Sequence, residues 1–300
     1  MSFENPRVVV AGAGAMGGLF GGLLSEGGLD VTLVDAWPEH IAAIKAHGLR
    51  ITGVGGDRAI SLKATTNAGE IREADVVLFQ CKSFANKVAA ESVKHLFKGE
   101  TAAITFQNGL GNEATLESVL GNGTVIGGLT AQAGLVEAPG VVRNFGNLPT
   151  HIGEMAGGRS DRAVAIAAAF SRHGLPVTAT AEIKREKWKK LLGNVALGAI
   201  SAVTDFRSFE IMRVPELRET VFRLIDEAAA VAKVEGVALD VAEAREVLMK
   251  LVDTSGGGTG SSKSSMREDI IRRRQTEIDT IHGAVAGLAR KHGIATPTLD

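Results

Sequence analysis

Several features are missing from this sequence, and each absence narrows the range of functions. Cys81 is the only cysteine among 300 residues, so an intramolecular disulfide is excluded. The formal net charge is −1, without the basic excess that marks a nucleic-acid-binding surface. No apolar run reaches the roughly 18 residues of a membrane-spanning helix, and no signal-peptide pattern follows Met1. We therefore expect a cytoplasmic protein that binds neither nucleic acid nor membrane, and we predict no metal site.

The order of the apolar segments predicts two domains of different class. Residues 1–181 alternate short strands with helices, which is typical of an α/β domain with a parallel sheet and crossover helices. Strands are expected at 7–11, 31–35, 75–80, 101–106, 123–128 and 176–180, and helices near 16–26, 38–47, 84–97 and 112–120. Residues 141–145 and 150–154 are expected to pair as a hairpin around Gly146 and Asn147. Residues 182–300 show only helical patterns, at 182–203, 215–236, 240–253 and 266–292, with a mobile loop expected at Ser255–Ser262.

A glycine-rich turn follows the first predicted strand. The residues are Gly12, Ala13, Gly14, Ala15, Met16 and Gly17, and apolar residues at helical spacing come after them. In a dinucleotide-binding turn of this form, the first glycine permits the tight turn and the second lets the backbone approach the pyrophosphate. The third glycine lets the helix pack closely on the strand. The pattern predicts a nucleotide site at the helix N-terminus, where free N–H groups favour phosphates.

Asp35 ends the second predicted strand and bears on which nucleotide binds. A carboxylate there accepts hydrogen bonds from the ribose hydroxyls and repels the 2′-phosphate of NADP. The nearest downstream cations are His40, if protonated, and Lys45, so the sequence favours NADH over NADPH. The alternative is that Asp35 only caps the helix that begins near Pro38.

Three further places carry candidate chemistry, each with a structural alternative. Lys190 and Asn194 lie four residues apart on one predicted helix face, where they could protonate and orient a carbonyl, or could belong to a solvated face. Asn108 begins an Asn-Gly-x-Gly loop after a predicted strand, which is either a ligand loop or an ordinary turn. Ser265 and Glu277 lie in the last helical region. Ser265 could instead be an N-cap with Glu268, and Glu277 could pair with Arg273 or Arg274.

Taken together, these motifs resemble the ketopantoate reductase family, also called the 2-dehydropantoate 2-reductases. The match covers nearly the whole chain and rests on the order of its parts: Gly12–Gly17, Lys82, Asn108–Gly111, Trp188–Asn194, Ser264–Met266 and Thr276–Asp279. The resemblance implies an N-terminal Rossmann domain and an all-helical C-terminal domain, with substrate in the cleft between them. It also implies that a nicotinamide cofactor delivers hydride to the C2 carbonyl of a 2-oxo acid.

The resemblance also implies roles for single residues. Lys190 matches the catalytic general acid, and Glu277 matches a glutamate that holds the lysine and a substrate hydroxyl or the nicotinamide ribose. Asn108 and Asn194 would orient the substrate, and Ser265 would bind its carboxylate. The residues implied in cofactor binding, beyond the glycine-rich turn and Asp35, are Lys82, Asn108, Ala133 and Glu277.

The sequence also departs from the family pattern. Gly198 and Ala199 stand where many members have Asn-Pro, and Ser208 stands at about the position of a later asparagine. Each amide lost at a polar-substrate site costs roughly 1–3 kcal/mol. Ala36 replaces an arginine common in members that use NADPH, which again favours NADH.

Four hypotheses follow. The lead is reduction of ketopantoate to pantoate, the D-2-hydroxy acid. The second is a D-2-hydroxy-acid dehydrogenase for a bulkier 2-oxo acid, for which Gly198 leaves room. The third is a β-hydroxyacid dehydrogenase, which pairs a similar glycine turn with a lysine and an asparagine on one helix. The fourth is a non-catalytic nucleotide-sensing protein. The apolar helices 215–236 and 266–292 fit packing within one chain or across a homodimer.

Overall fold

The computed structural model describes residues 3–146, 148–253 and 263–300. The chain divides into two compact units. The first contains the residues up to Gln107 together with Asn112–Ile183, and the second contains Asn108–Gly111 together with Lys184–Asp300. The loop that carries Asn108 therefore groups with the helical part of the chain, although its neighbours in sequence belong to the sheet. The loop expected at Ser255–Ser262 lies outside the described residues.

The first unit is built on strands and crossover helices. Its strands are β1 (Val8–Ala11), β2 (Val31–Val34), β3 (Leu49–Gly53), β4 (Arg58–Ile60), β5 (Lys63–Thr65), β6 (Val76–Phe79), β7 (Ala102–Thr105), β8 (Val125–Thr130), β9 (Gly134–Ala138), β10 (Val141–Asn144), β11 (Thr150–Gly153) and β12 (Thr178–Ala179). Its helices are α1 (Ala15–Glu26), α2 (Pro38–His47), α3 (Asn86–Val93), α4 (Asn112–Leu120) and α5 (Asp161–Arg172).

Eight of these strands form one sheet in the order β12-β11-β8-β7-β6-β1-β2-β5, and β4-β3-β10-β9 form a second sheet. In β1, Val8 and Val10 belong to one buried cluster, whereas Val9 and Ala11 belong to another. Side chains alternate across a strand, so both faces of the large sheet are covered, as parallel sheets require. The prediction of an α/β domain with a parallel sheet is confirmed.

The predicted hairpin is wrong, although both of its strands exist. Val142 of β10 pairs in parallel with Ile51 of β3, whereas Thr150 of β11 pairs antiparallel with Thr130 of β8. The two strands thus enter different sheets. Their partners lie about 90 and 20 residues away in sequence, and a local turn signal carries no information about such distant partners. The strands β3, β4, β5 and β9 and the helix α5 were not predicted.

The second unit is helical in its described residues. Its helices are α6 (Ile183–Thr204), α7 (Ser208–Arg213), α8 (Pro215–Val234), α9 (Val241–Val252), α10 (Ser265–Ile271) and α11 (Ala284–His292). A π-helical turn at Asp279–Gly283 runs directly into α11. Trp188, Leu192, Val195, Ile225 and Val285 lie in its buried core. No described helix is long and apolar enough to cross a membrane.

The single helix predicted at 266–292 is interrupted. After α10, Arg273 adopts a left-handed φ of 52°. Its N–H donates to Ile270 O at 2.9 Å, and the N–H of Arg274 donates to Asp269 O at 2.7 Å. These two bonds close the helix as a Schellman motif does. The position is usually glycine, so an arginine there gave no sequence signal for the break.

Candidate active site

The glycine-rich turn has the backbone geometry that a dinucleotide site requires. Gly12 has a φ of 100°, and a Cβ there would overlap the backbone of Cys81. A Cβ on Gly17 would overlap the carbonyl oxygen of Gly12, so the third glycine permits the close approach of α1 to β1. A Cβ on Gly14 would meet nothing within 4 Å. The second glycine therefore faces open space at the N-terminus of α1, where a phosphate can approach the backbone.

Asp35 is half-buried and holds the turn. Its Oδ2 accepts a 2.7 Å hydrogen bond from the Ala13 N–H, and its Oδ1 accepts a 2.9 Å bond from the Trp37 N–H. The N-cap of α2 is Trp37, so Asp35 is not the N-cap residue itself. A carboxylate has about four lone-pair sites, and two are used here. The side chain thus fixes the turn and retains acceptor capacity for ribose hydroxyls.

His40 is fully buried beside the same turn. Its Nδ1 accepts a 3.0 Å hydrogen bond from the Gly140 N–H, so this nitrogen carries no proton. Its Nε2 lies 3.0 Å from Ala13 O and acts as the donor. Both ring nitrogens are thus hydrogen-bonded to the backbone, one as acceptor and one as donor, which is the pattern of a neutral imidazole. The sequence left His40 as a nearby cation only if it were protonated, and this arrangement does not fit a protonated ring.

The carboxyl ends of the next strands also lie beside the turn. Lys82 is half-buried and precedes a short 3₁₀ turn at Ser83–Ala85. Ala133 is exposed in the segment between β8 and β9, and the Gly134 that follows it lies against Ala15 at the start of α1. Two glutamines that the sequence did not single out, Gln80 and Gln132, follow β6 and β8. Gln80 is the last residue of the strand predicted at 75–80, and this position at a strand end is a signal that could have found it. Gln132 lies four residues beyond the strand predicted at 123–128, so there was no comparable sequence signal for it.

A buried amide network joins the end of β7 to the first residues of α3 and α4. Asn86 Oδ1 accepts a 2.7 Å hydrogen bond from Gln107 Nε2, and Asn86 Nδ2 donates to Asn112 Oδ1 at 2.9 Å. Thr105 Oγ1 donates to Gln107 Oε1 at 2.7 Å. Gln107 and Asn112 are the residues directly before and after the loop 108–111. One side chain, that of Asn86, therefore joins the two ends of this loop.

In the second unit, the loop brings Asn108 to Lys190. Lys190 Nζ donates a 2.8 Å hydrogen bond to Asn108 Oδ1, between residues 82 positions apart. Leu110 N–H donates to Thr280 O at 2.8 Å, which fastens the loop to the π-helical segment. Gly109 has a φ of 86°, and a Cβ there would overlap Thr280 O. The Asn-Gly pair is thus part of a packed junction rather than a free turn.

Lys190 is half-buried, and its surroundings lower its pKa. Loss of solvent around the ammonium, together with the charge of Lys187, lowers the pKa from 10.5 to about 8, while the carboxylate of Glu277 opposes the change. Lys187 is itself only 5% exposed. A lysine with this pKa is protonated at neutral pH and can still give up its proton in a reaction. This environment differs from the solvated helix face that was the structural alternative.

The remaining predicted residues lie on the same helical unit. Asn194 is half-buried one turn after Lys190 on α6. Ser265 is exposed at the first position of α10. The alternative that Ser265 is the N-cap is wrong, because Ser264 Oγ accepts from the Arg267 N–H and caps the helix. Ser264 Oγ also donates to Gly198 O at 3.0 Å, which ties α10 to α6.

Gly198 is buried on α6, two turns after Lys190, and leaves a gap that one added methyl would fill. An added Cβ would lie 3.7 Å from His282 Cε1 and 3.9 Å from Met266 Cε, which are ordinary contact distances. His282 is buried, its Nε2 lies 3.0 Å from Val195 O, and desolvation lowers its pKa. The gap next to Gly198 is therefore lined by a thioether and a neutral imidazole.

Comparison with known proteins identifies relatives along the whole chain. Residues 8–157 match the family model described as ketopantoate reductase PanE/ApbA, and residues 182–300 match its C-terminal model. The chain is 35% identical to a 2-dehydropantoate 2-reductase of Halobacterium salinarum, over 98% of this chain and 95% of the relative.

Two solved structures show the same similarity in three dimensions. A D-mandelate dehydrogenase with NADH and anilino(oxo)acetate gives a TM-score of 0.92 at 28% identity, covering 98% of this chain and 94% of the other. A PanE/ApbA family ketopantoate reductase from Ralstonia eutropha JMP134 gives a TM-score of 0.89 at 29% identity, covering 97% and 94%.

Proposed function

The chain belongs to the ketopantoate reductase family of NAD(P)-dependent oxidoreductases acting on CH–OH groups, and from this premise we propose that it reduces ketopantoate to pantoate. The observation that carries the proposal is the half-buried Lys190, whose Nζ is held by Asn108 and whose pKa is about 8. A positioned acid with a pKa near the working pH is what proton donation to a carbonyl oxygen requires.

The residues of the first unit fit a nicotinamide dinucleotide. The Gly12–Gly17 turn offers an open approach to the N-terminus of α1, and Asp35 retains acceptor capacity for the adenosine ribose. When bound, the cofactor supplies the hydride that reduces C2 of the 2-oxo acid. The implied contacts of Lys82, Ala133 and Glu277 with it are part of the same proposal.

Each residue of the second unit has a distinct proposed role. Lys190 donates a proton to the C2 oxygen as negative charge develops there, and its ammonium stabilises that charge before transfer. Asn108 holds the ammonium in one orientation, and Asn194, on the next turn of α6, orients the substrate. Glu277 keeps Lys190 protonated, because its carboxylate raises the pKa that burial lowers. Ser265 binds the substrate carboxylate.

We also propose that NADH is preferred over NADPH. Asp35 places a carboxylate at the ribose, Ala36 supplies no cation, and His40 is held neutral by its two backbone contacts. A 2′-phosphate would meet repulsion from Asp35 without compensation from either of the other two residues.

A second candidate substrate class is supported by Gly198. Where many family members carry an asparagine, this chain has a gap lined by Met266 and His282. The structural relative with a TM-score of 0.92 is a D-mandelate dehydrogenase. Reduction of a 2-oxo acid with a bulkier or aromatic side chain is the alternative to ketopantoate.

Steady-state oxidation of NADH and NADPH by ketopantoate, followed by the absorbance of the reduced nicotinamide, tests these proposals. A panel of branched and aromatic 2-oxo acids provides the comparison, and Lys190→Ala is the control for catalysis. Turnover of ketopantoate that disappears in Lys190→Ala supports the lead. Turnover of aromatic acids alone supports the second candidate, and turnover of no 2-oxo acid contradicts both.

A further inference from the structure

Two glutamines at the carboxyl edge of the large sheet have buried polar atoms without a hydrogen-bond partner among the described residues. These atoms are Nε2 of Gln80 and both Nε2 and Oε1 of Gln132. Gln132 is only 8% exposed. Buried polar atoms are nearly always paired in native proteins, so an amide unpaired at both ends requires an explanation.

The backbone that carries Gln132 is firmly held. Its N–H donates a 3.0 Å hydrogen bond to Thr130 Oγ1, and that hydroxyl lies 2.8 Å from Thr150 Oγ1 of the neighbouring strand. Both threonines are buried. The unpaired amide thus belongs to a residue whose backbone is held by the end of β8, two positions before it.

The same segment approaches the glycine-rich turn. An idealised Cβ on Gly134 would lie 3.4 Å from the carbonyl oxygen of Ala15, the first residue of α1. A larger residue at position 134 would crowd the start of the helix at which the pyrophosphate is proposed to bind. Residues 131–134 therefore border the proposed cofactor site.

In the strand order of the large sheet, the residues proposed to bind the two halves of the cofactor lie on opposite sides of β1. Asp35 follows β2 on one side, whereas Gln80 and Gln132 follow β6 and β8 on the other side. With the adenosine ribose at Asp35 and the pyrophosphate at the turn after β1, the nicotinamide half extends over β6, β7 and β8. This is the crevice at the carboxyl ends of the strands in which dinucleotides bind.

The chemistry of the unpaired groups matches one part of the nicotinamide half. The nicotinamide ring carries a primary carboxamide, with one carbonyl acceptor and one amino donor. The glutamine amide offers the complementary pair and can make two parallel hydrogen bonds with it. Neither phosphate nor ribose has this donor–acceptor pattern in one planar group.

We propose that Gln132 binds the nicotinamide carboxamide, with Oε1 accepting from its amino group and Nε2 donating to its carbonyl oxygen. This inference rests on the proposed function, because it requires a nicotinamide cofactor. Two parallel hydrogen bonds fix the rotation of the nicotinamide ring about its bond to the ribose. Gln132 therefore helps to determine which face of the ring is turned towards the substrate.

Binding measurements with three ligands test the role of Gln132 independently of turnover. The ligands are NADH, the reduced 3-acetylpyridine analogue, in which a methyl replaces the amino group, and ADP-ribose, which lacks the nicotinamide. Affinities of the full-length wild type, Gln132→Met and Gln132→Glu are measured by calorimetry. Methionine matches glutamine in length without an amide, and glutamate retains acceptors without the donor.

The expected result is a loss of affinity for NADH without a matching loss of affinity for ADP-ribose. Gln132→Met weakens NADH binding about tenfold, the cost of leaving a hydrogen-bonding group unmatched, and leaves ADP-ribose binding within about twofold. The wild type binds NADH more tightly than the acetylpyridine analogue, and Gln132→Met loses this discrimination. Gln132→Glu weakens NADH binding in the same direction, because its carboxylate cannot donate to the carboxamide oxygen.

Equal effects of Gln132→Met on NADH and ADP-ribose, or none on either, overturn the inference, since a buried water between the two amide atoms would give that result. ADP-ribose binding also reports whether each variant is folded, and Gln132→Glu provides the test if the methionine variant is not. A wild-type protein that binds neither NADH nor ADP-ribose would contradict the cofactor assignment itself, which is a different failure.

Discussion

Asn108 Oδ1 accepts a 2.8 Å hydrogen bond from Lys190 Nζ. The two residues are 82 positions apart, and Asn108 is placed by a four-residue loop that groups with the helical unit. The bond restricts a long, flexible side chain to one orientation while burial lowers its pKa. This pair is the basis of the first two predictions.

The rate of reduction should depend on the protonation of Lys190. With a pKa of about 8, the lysine is protonated below that pH, so kcat for 2-oxo acid reduction should be level near neutrality. It should fall as pH rises through about 8, because the general acid is lost. The oxidation of the hydroxy acid should show the opposite trend. Rate profiles in both directions between pH 6 and 10, the range that brackets this pKa, provide the measurement.

Lys190→Met should abolish turnover and stabilise the fold. Because burial disfavours the ammonium, removing it should raise the free energy of unfolding by roughly 1–3 kcal/mol at neutral pH. A lysine whose folded pKa is depressed weakens the fold below that pKa. The gain should therefore shrink as pH rises from about 8 towards the unfolded value of 10.5. Urea unfolding of both proteins at pH 7 and pH 10, on either side of these two values, checks this. A gain that is the same at both pH values would contradict it.

Gly14→Ala and Gly17→Ala form a matched pair that separates cofactor binding from folding. A methyl at Gly14 meets nothing within 4 Å, so this variant should fold normally and bind NADH more weakly by about tenfold or more. A methyl at Gly17 overlaps Gly12 O, so this variant should lose several kcal/mol of stability. Thermal unfolding and NADH titration of both variants distinguish the two effects. An equal loss of thermal stability in the two variants would show that both glycines are required for folding, and would contradict the prediction.

Asp35→Ser combined with Ala36→Arg should reverse the cofactor preference. The first change removes the carboxylate that repels the 2′-phosphate, and the second supplies a cation for it. The expected result is a shift in the kcat/KM ratio of NADH to NADPH of about a hundredfold. Asp35→Ser alone is the control, and it should relax the preference without reversing it. Because Asp35 also accepts from the Ala13 N–H, some loss of affinity for both cofactors is expected.

Gly198→Ala should narrow the range of substrates. Its methyl occupies the gap between His282 and Met266 at ordinary contact distances, so the fold should tolerate it. Alanine inside a helix should add roughly 0.5–1 kcal/mol of stability. If bulky 2-oxo acids use this gap, their kcat/KM should fall while that of pyruvate is unchanged. An equal fall in kcat/KM for small and bulky 2-oxo acids would show that the side chain of the substrate does not enter the gap.

Much of the secondary structure of the first unit could be predicted from local sequence patterns. Periodic apolar runs located β1, β2, β6, β7 and β8, because such signals lie within a few residues of one another. The Gly12–Gly17 turn predicts a nucleotide site for the same reason. The short strands β3, β4 and β5 were missed. Their length and mixed composition leave no periodicity, and their pairing partners are remote in sequence.

The sequence by itself determined the order of elements, the glycine geometry of the turn and the identity of the chemical groups, since each depends on residue type and near neighbours. Tertiary structure alone decided which groups meet. It joined Asn108 to Lys190, placed β10 and β11 in different sheets and ended α10 shortly before a left-handed Arg273. It also left the buried Gln132 amide without a hydrogen-bond partner in the part of the chain that the structure describes. Hydrogen-bond partners and burial depend on residues far apart in the chain, and they exist only once the packing of the whole unit is fixed.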